Sequence, residues 1–144
     1  MKRIKYIYSV VLIISLLGLS CGGDEDPTAQ ELAFEKLSGS WNLGNGGSIM
    51  IDGQDASANF AGFSFSFTDG TYSTSNAGDM FRATGTWTWA DEEAQRISVD
   101  DGKSITIVTL TEQQFVFTFT SDGTGGVANT GEGIAGNYTI TVNK

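Results

Sequence analysis

The sequence predicts an all-β protein in which one short helix is followed by eight or nine antiparallel strands. Apolar and polar residues alternate along most of the chain from Phe63 onward, a pattern typical of strands that bury one face and expose the other. Asp-Gly and related turn sequences separate the alternating segments at short intervals, as in antiparallel hairpins. A content of 19 glycines and one proline also suits this fold class.

The predicted helix begins at Thr28, in the segment TAQELAFEKLSG. Thr28 and Glu31 have the spacing of a capping box, and Gly39 is suited to ending the helix. A helix of about ten residues is not stable alone in water, so we expect its apolar face to pack on the strands. That face carries Ala33, Phe34 and Leu37.

The predicted strands are marked by apolar residues at every second position, an alternation that residues 108–110 interrupt. Predicted turns separate them at residues 69–70, 76–79, 90–95, 100–102 and 121–123. Aromatic rings dominate the face that alternation predicts to be buried. In chain order the apolar members are Phe63, Phe65 and Phe67; Trp87 and Trp89; Ile105 and Ile107; Phe115, Phe117 and Phe119; and Tyr138, Ile140 and Val142.

Residues 1–20 have the organisation of a secretory signal peptide. Lys2, Arg3 and Lys5 give a positive start, residues 7–19 are mostly apolar, and small residues follow. This order matches the positive, apolar and small-residue regions of such peptides. The alternative is a transmembrane anchor, but a membrane span needs about 20 apolar residues, and this apolar stretch is shorter.

Cys21 is the only cysteine, and Ser20 precedes it at the predicted cleavage point. The arrangement resembles the lipobox of bacterial lipoproteins, in which the cysteine receives a diacylglycerol and its new amino group is acylated. The resemblance implies that Cys21 is the lipidation site and that residues 21–27 form a lipidated acidic tether to the outer membrane. More than one acyl chain suffices for stable anchoring.

The acidic triplet at Asp24, Glu25 and Asp26 has two interpretations. One is a solvated linker. The triplet also resembles the short acidic export signal that follows the lipidated cysteine in Bacteroidetes-type surface lipoproteins, which would place the protein on the outside of the cell. The sequence therefore leaves both the periplasmic and the extracellular face open.

The charge of the chain argues against nucleic-acid binding. The sequence has 17 acidic and 8 basic residues, a net charge of −9, and removal of residues 1–20 would leave 5 basic residues and a net charge of −12. A field of this sign repels nucleic acid and anionic lipid. With a single cysteine, no disulfide can form within the chain.

Gly39 and Trp41, directly after the short helix, form a G-x-W sequence. With the later segments FSFTDGTY, GTWTW, ITIVTLT and GNYTITV, it is similar to the lipocalin-like domain lipoproteins of the Bacteroidetes type over about residues 32–144. The resemblance implies an antiparallel up-and-down β-barrel over residues 28–144, closed at one end by Gly39 and Trp41. It assigns Lys144 to the basic position over Trp41, and it implies binding of a small hydrophobic ligand.

No catalytic residue or metal site is expected, and the sequence implies no cofactor. The chain lacks histidine, which excludes histidine-dependent triads and the commonest transition-metal ligand. Carboxylate clusters such as residues 91–93 and 100–101 lie in predicted turns, where water prevents the raised pKa that general acids need. No EF-hand spacing appears. We therefore expect a protein that is not an enzyme.

Two functions remain open, and the aromatic residues decide between them. In the first, a pocket inside the barrel binds a small hydrophobic or sugar-like ligand. In the second, the rings fill the barrel. An eight-stranded barrel has room for side chains or for one small ligand, so a barrel filled by rings holds no internal ligand. The protein would then be a surface module for protein or glycan interaction. The candidate ligand-binding residues are Phe63, Phe65, Phe67, Trp87, Trp89 and Phe117.

Overall fold

A computed structural model of the protein describes residue 23, residues 25–123 and residues 133–144. The predicted signal peptide, the lipidation site Cys21 and Asp24 lie outside this part of the chain. The described residues form one α-helix, α1 (Ala29–Leu37), one 3-10 helix (Ser57–Phe60) and ten strands. The strands are β1 (Gly39–Asn42), β2 (Ser48–Ile51), β3 (Gln54–Asp55), β4 (Ser64–Thr68), β5 (Thr71–Ser75), β6 (Thr84–Trp89), β7 (Arg96–Val99), β8 (Ser104–Leu110), β9 (Gln114–Ser121) and β10 (Gly136–Asn143).

The strands form a closed antiparallel barrel. From β4 to β10 each strand pairs with the next one along the chain, β1 pairs with β4, and β1 and β2 both pair with β10. The ring therefore has eight positions, and every pairing in it is antiparallel. The prediction of an antiparallel up-and-down β-barrel with one short N-terminal helix is confirmed.

β1 and β2 are two halves of one barrel strand, which is why ten strands occupy eight positions. Asn42 lies opposite Asn143, and Ser48 lies opposite Thr141. Residues 43–47 thus stand opposite a single residue of β10 and form a large bulge. The side-chain amide of Asn143 donates to the Asn45 carbonyl at 3.3 Å and holds this bulge. β3 forms a short hairpin with β2 outside the ring.

The helix has the predicted capping box. The Glu31 backbone N–H donates to the Thr28 hydroxyl at 3.2 Å, and the Thr28 backbone N–H donates to the Glu31 carboxylate at 2.7 Å. Leu37 is fully buried and Phe34 is half-buried against the core, so α1 lies on the barrel through the expected face. The helix ends at Leu37, and Gly39 begins β1 with a φ of +106°.

Most of the predicted inward residues are buried, although Trp89 and Ile107 are only partly buried. Phe63, Phe65 and Phe67 have no exposed surface, and the inward residues of β9 and β10 are also buried. The interruption predicted at residues 108–110 is a β-bulge: the pairing of β8 with β9 shifts register between Ile107 and Thr109, and Val108 is 60% exposed.

The connection between β5 and β6 differs from the prediction. The sequence predicts a turn at residues 76–79, whereas the connection runs over residues 76–83 and buries Ala77, Met80 and Phe81. Asn76 and Gly78 adopt positive φ angles of 52° and 55°. The three buried apolar residues of this connection belong to the core.

Candidate functional site

Aromatic rings of the described residues pack against one another inside the barrel. Four of the six candidate ligand-binding residues, Phe63, Phe65, Phe67 and Phe117, have no exposed surface. The ring centroids of Phe65 and Phe67 are 4.3 Å apart, and those of Phe65 and Phe117 are 5.9 Å apart. Such distances are those of rings in direct contact. These four side chains pack against neighbouring rings.

Phe81 closes the end of the barrel that is remote from the helix. Its ring centroid lies 4.8 Å from that of Phe65 and 4.9 Å from that of Phe119. Lys103 Nζ lies 5.9 Å from the Phe81 centroid and pairs with the Asp101 carboxylate at 2.6 Å. Because the Asp101 side chain is only 2% exposed, this ion pair is part of the closure.

Trp41 closes the helix end. It is fully buried, its centroid lies 5.7 Å from that of Phe115, and its indole N–H donates to the Leu37 carbonyl at 2.8 Å. Lys144 Nζ lies 4.4 Å from the Trp41 ring centroid. Gly39 lies beneath the Lys144 side chain, since a Cβ at residue 39 would be 3.6 Å from Lys144 Cε.

The other two candidates, Trp87 and Trp89, line an open groove on the outside of this helix end. The groove has a volume of about 680 Å³. The start of α1 forms one wall, the turn between β4 and β5 forms another, and β6 forms the floor. The lining residues are Thr28, Gln30, Glu31, Phe34, Asp69, Gly70, Trp87, Thr88 and Trp89.

Trp87 is the fixed centre of the groove floor. Its indole N–H is shared between the carbonyls of Thr68 and Thr71, at 2.8 and 3.0 Å. Its ring centroid lies 6.0 Å from that of Phe34 and 5.1 Å from that of Trp89, and the two tryptophan rings are nearly perpendicular, at 88°. Trp87 is 5% exposed, whereas Trp89 and Phe34 are half-buried. The floor is therefore a rigid corner of aromatic rings.

The rim of the groove carries two carboxylates, Glu31 and Asp69. The hydrogen bonds from the Thr28 backbone N–H and hydroxyl to Glu31 Oε2, at 2.7 and 3.0 Å, lower the pKa of Glu31, so this side chain is ionised at neutral pH. No lysine or arginine occurs among the groove residues named above. The rim is thus anionic around an aromatic floor.

The groove wall formed by α1 is attached to the barrel by Gln30. Its side-chain amide donates to the Asp91 carbonyl in the turn after β6, at 2.8 Å. Asp91 itself accepts from the Gln95 backbone N–H at 2.7 Å and pairs with Arg96 at 3.0 Å. These contacts connect the start of the helix to the strand that carries Trp87 and Trp89.

A second polar cluster surrounds Tyr72, whose hydroxyl donates to the Asp100 carboxylate at 3.0 Å. Burial, followed by this hydrogen bond, raises the pKa of Tyr72 well above its ordinary value. Arg82 pairs with the same carboxylate at 3.5 Å. Because the Tyr72 hydroxyl and the Asp100 carboxylate are hydrogen-bonded to each other, we infer that this cluster stabilises the barrel. Within the part of the chain that the structure describes, no group of three acidic residues is placed to hold a metal ion.

The sequence predicts only some of the residues that line the groove. Sequence patterns mark Trp87 and Trp89 as candidates, but they place Phe34, Glu31 and Asp69 separately in a helix face, a helix cap and a turn. No protein-family model matches the chain, and no curated protein matches it either. Among the described residues, no helix is long and apolar enough to cross a bilayer.

Proposed function

We propose that this protein is a lipid-anchored outer-membrane lipoprotein, not an enzyme, that binds its ligand on the outside of a packed barrel. The binding surface is the groove between α1 and β6, which we call the Trp87–Trp89 groove. The observation that carries this proposal is the contrast between the two sets of candidate rings. Four of the rings are fully buried in the core: Phe63, Phe65, Phe67 and Phe117. Trp89 and the other groove residues border open space.

The position of the groove suits a tethered protein. Thr28 lines the groove and follows Cys21 by seven residues in the sequence. Seven residues span at most roughly 25 Å when fully extended. A lipid on Cys21 would therefore hold the groove close to the membrane surface, and a small domain of net negative charge would remain solvated there.

A ligand inside the barrel is the second candidate function, and the β5–β6 connection is the observation relevant to it. A barrel of this architecture is compatible with a lipocalin-like binding module. An internal ligand, however, would need the space that Met80 and Phe81 now occupy. Displacing two fully buried apolar side chains is unfavourable by several kcal/mol, and we therefore rank this function second.

The anchoring part of the proposal is tested by expressing the full chain in a bacterium that processes lipoproteins. We expect mass spectrometry of the membrane fraction to find a chain that begins at Cys21 and carries acyl groups. Cys21→Ser should abolish both changes. A wild-type chain that keeps residues 1–20, or that is cut without acylation, would contradict the anchoring.

The binding part is tested with a panel of neutral sugars, amines and small apolar compounds, added to the full chain in maltoside micelles. The readout is the NMR signals of the three tryptophan indole N–H groups. A ligand of the groove should shift the signals of Trp87 and Trp89 but not that of Trp41, which donates to Leu37 inside the barrel. A ligand that shifts the Trp41 signal, and that binds only after Phe81 is replaced by a smaller residue, would support binding inside the barrel instead.

A further inference from the structure

We propose that the Trp87–Trp89 groove binds an organic ammonium group, such as the trimethylammonium of choline. This inference rests on the proposed binding role of the groove and names the chemistry of its ligand. Trp89 and Phe34 would contact the ammonium methyl groups, while Glu31 and Asp69 would supply the opposite charge.

The aromatic corner provides the first argument. Cations are attracted to the faces of aromatic rings, most strongly to tryptophan, when they lie within about 6 Å of the ring centroid. Phe34 and Trp89 flank Trp87 with centroid distances of 6.0 and 5.1 Å, so one cation in the corner would be within reach of more than one ring. The hydrogen bonds of Trp87 to Thr68 and Thr71 fix the floor before any ligand arrives, which lowers the entropic cost of binding.

The charge of the rim provides the second argument. Glu31 and Asp69 border the rings, and no basic side chain is among the groove residues. Glu31 Oε2 accepts hydrogen bonds from Thr28, and among the described residues none forms a hydrogen bond or ion pair with the Asp69 carboxylate. This rim disfavours anionic ligands, and it offers a neutral ligand no electrostatic attraction. An ammonium group matches both the rings and the carboxylates.

The net charge of the protein acts in the same direction. The chain carries 17 acidic and 8 basic residues, so its long-range field raises the local concentration of cations. The scaffold also holds one cation over a ring of its own at the same end of the barrel, where Lys144 Nζ lies 4.4 Å from the Trp41 centroid.

The test compares choline with 3,3-dimethyl-1-butanol, its neutral analogue of the same shape. Each is titrated into the full chain in maltoside micelles at constant ionic strength, with the indole N–H signals as readout. We expect choline to shift the signals of Trp87 and Trp89, to leave that of Trp41 in place, and to bind about fivefold tighter than the alcohol. Equal binding of the two would overturn the inference.

Phosphocholine distinguishes a free amine from a lipid headgroup. Its phosphate would approach Glu31 and Asp69, so we expect weaker binding than for choline. Tighter binding of phosphocholine would contradict the role assigned to the carboxylates and would indicate that a headgroup is the ligand.

The variants Asp69→Asn and Trp89→Leu each remove one component of the site. Asparagine is favourable in turns, so Asp69→Asn should leave the hairpin intact and weaken choline binding about two- to fivefold. Glu112→Gln is the matched control, because it removes the same charge from an exposed residue that does not line the groove. Trp89→Leu should weaken binding by a similar factor. An equal effect of Glu112→Gln would show that only the net charge matters.

The two proposals fail in different ways. If a neutral sugar shifts the Trp87 and Trp89 signals while choline does not, the groove is the binding surface but its ligand is not an ammonium compound. If no compound of the panel shifts either signal, both proposals are wrong.

Discussion

The amino group of Lys144 lies 4.4 Å from the centroid of the Trp41 ring and also donates to the carbonyls of Lys36 and Ser38, each at 2.7 Å. This single cation therefore joins the end of β10, the C-terminal end of α1 and the start of β1. Carbonyls at a helix C-terminus carry partial negative charge, and the Trp41 ring face attracts cations. The barrel is thus closed over Trp41 by an electrostatic contact as well as by packing.

Lys144→Met should reduce the free energy of unfolding by about 1–2 kcal/mol, because it removes the cation but keeps most of the apolar stem. Urea denaturation followed by tryptophan fluorescence measures the loss. Lys36→Met is the matched control, since Lys36 is an exposed lysine in the last turn of α1 whereas it is Lys144 that lies over the Trp41 ring, and this control change should cost only a few tenths of a kcal/mol. Equal losses in the two variants would show that the contact with Trp41 contributes nothing.

Phe81→Ala should reduce the free energy of unfolding by about 3–5 kcal/mol, the range for removing a buried aromatic ring. It should also leave an apolar cavity at the end of the barrel that the β5–β6 connection closes. We expect benzene to raise the melting temperature of this variant but not of the wild type, because apolar cavities of ring size bind such molecules. Val108→Ala, at a residue that is 60% exposed, should change stability by less than about 0.5 kcal/mol.

If benzene stabilises the wild type as strongly as the variant, the interior already contains space for a ligand. Binding inside the barrel would then replace the groove as the leading function.

Gly85→Ala should destabilise the protein by about 1–3 kcal/mol, although alanine is ordinarily the better residue within a strand. A Cβ at residue 85 would lie 2.5 Å from Asp100 Oδ1 and 2.6 Å from Tyr72 Oη, so the bond between these two groups would have to move. Thermal unfolding measures the effect. Gly23→Ala is the control, because a Cβ there meets no atom within 4 Å. An unchanged melting temperature for Gly85→Ala would show that the Tyr72–Asp100 bond is not constrained by the strand.

Stability should fall at acidic pH because hydrogen bonds lower the pKa of Glu31, Asp55 and Asp91 in the folded state. The main cause at Asp91 is the backbone N–H of Gln95, followed by the contact with Arg96. A depressed folded pKa stabilises the protein above the unfolded value, about 3.9 for aspartate and about 4.3 for glutamate, and this contribution disappears as the pH falls through the folded pKa.

Asp91→Asn should therefore lower the melting temperature at pH 6. Between pH 5 and pH 2, however, the melting temperature of this variant should fall by less than that of the wild type. Glu92→Gln, at the neighbouring exposed carboxylate, controls for the loss of one negative charge. Parallel profiles for Asp91→Asn and the wild type would contradict the assigned role of Asp91.

Sequence reasoning reached part of the candidate site because each component has a local signal. The spacing of Thr28 and Glu31 predicted the helix cap, and alternation selected Trp87 and Trp89. What it lacked was the position of α1 across β6. The Gln30–Asp91 bond that fixes this position joins residues 61 apart in the chain, and no local pattern specifies such a contact.

Local patterns in the sequence specify the inward face of most strands, because successive side chains of a strand point to opposite sides and only one side is apolar. They also specify the start of the helix, since a capping box acts within four residues. Two features of the described residues depend instead on the tertiary structure: the phenylalanines of the barrel pack against one another, and the Trp87–Trp89 groove lies outside it. Phe81 enters the core from the β5–β6 connection, where the local sequence predicts a turn. Whether rings from strands remote in sequence leave a cavity depends on the distances between them.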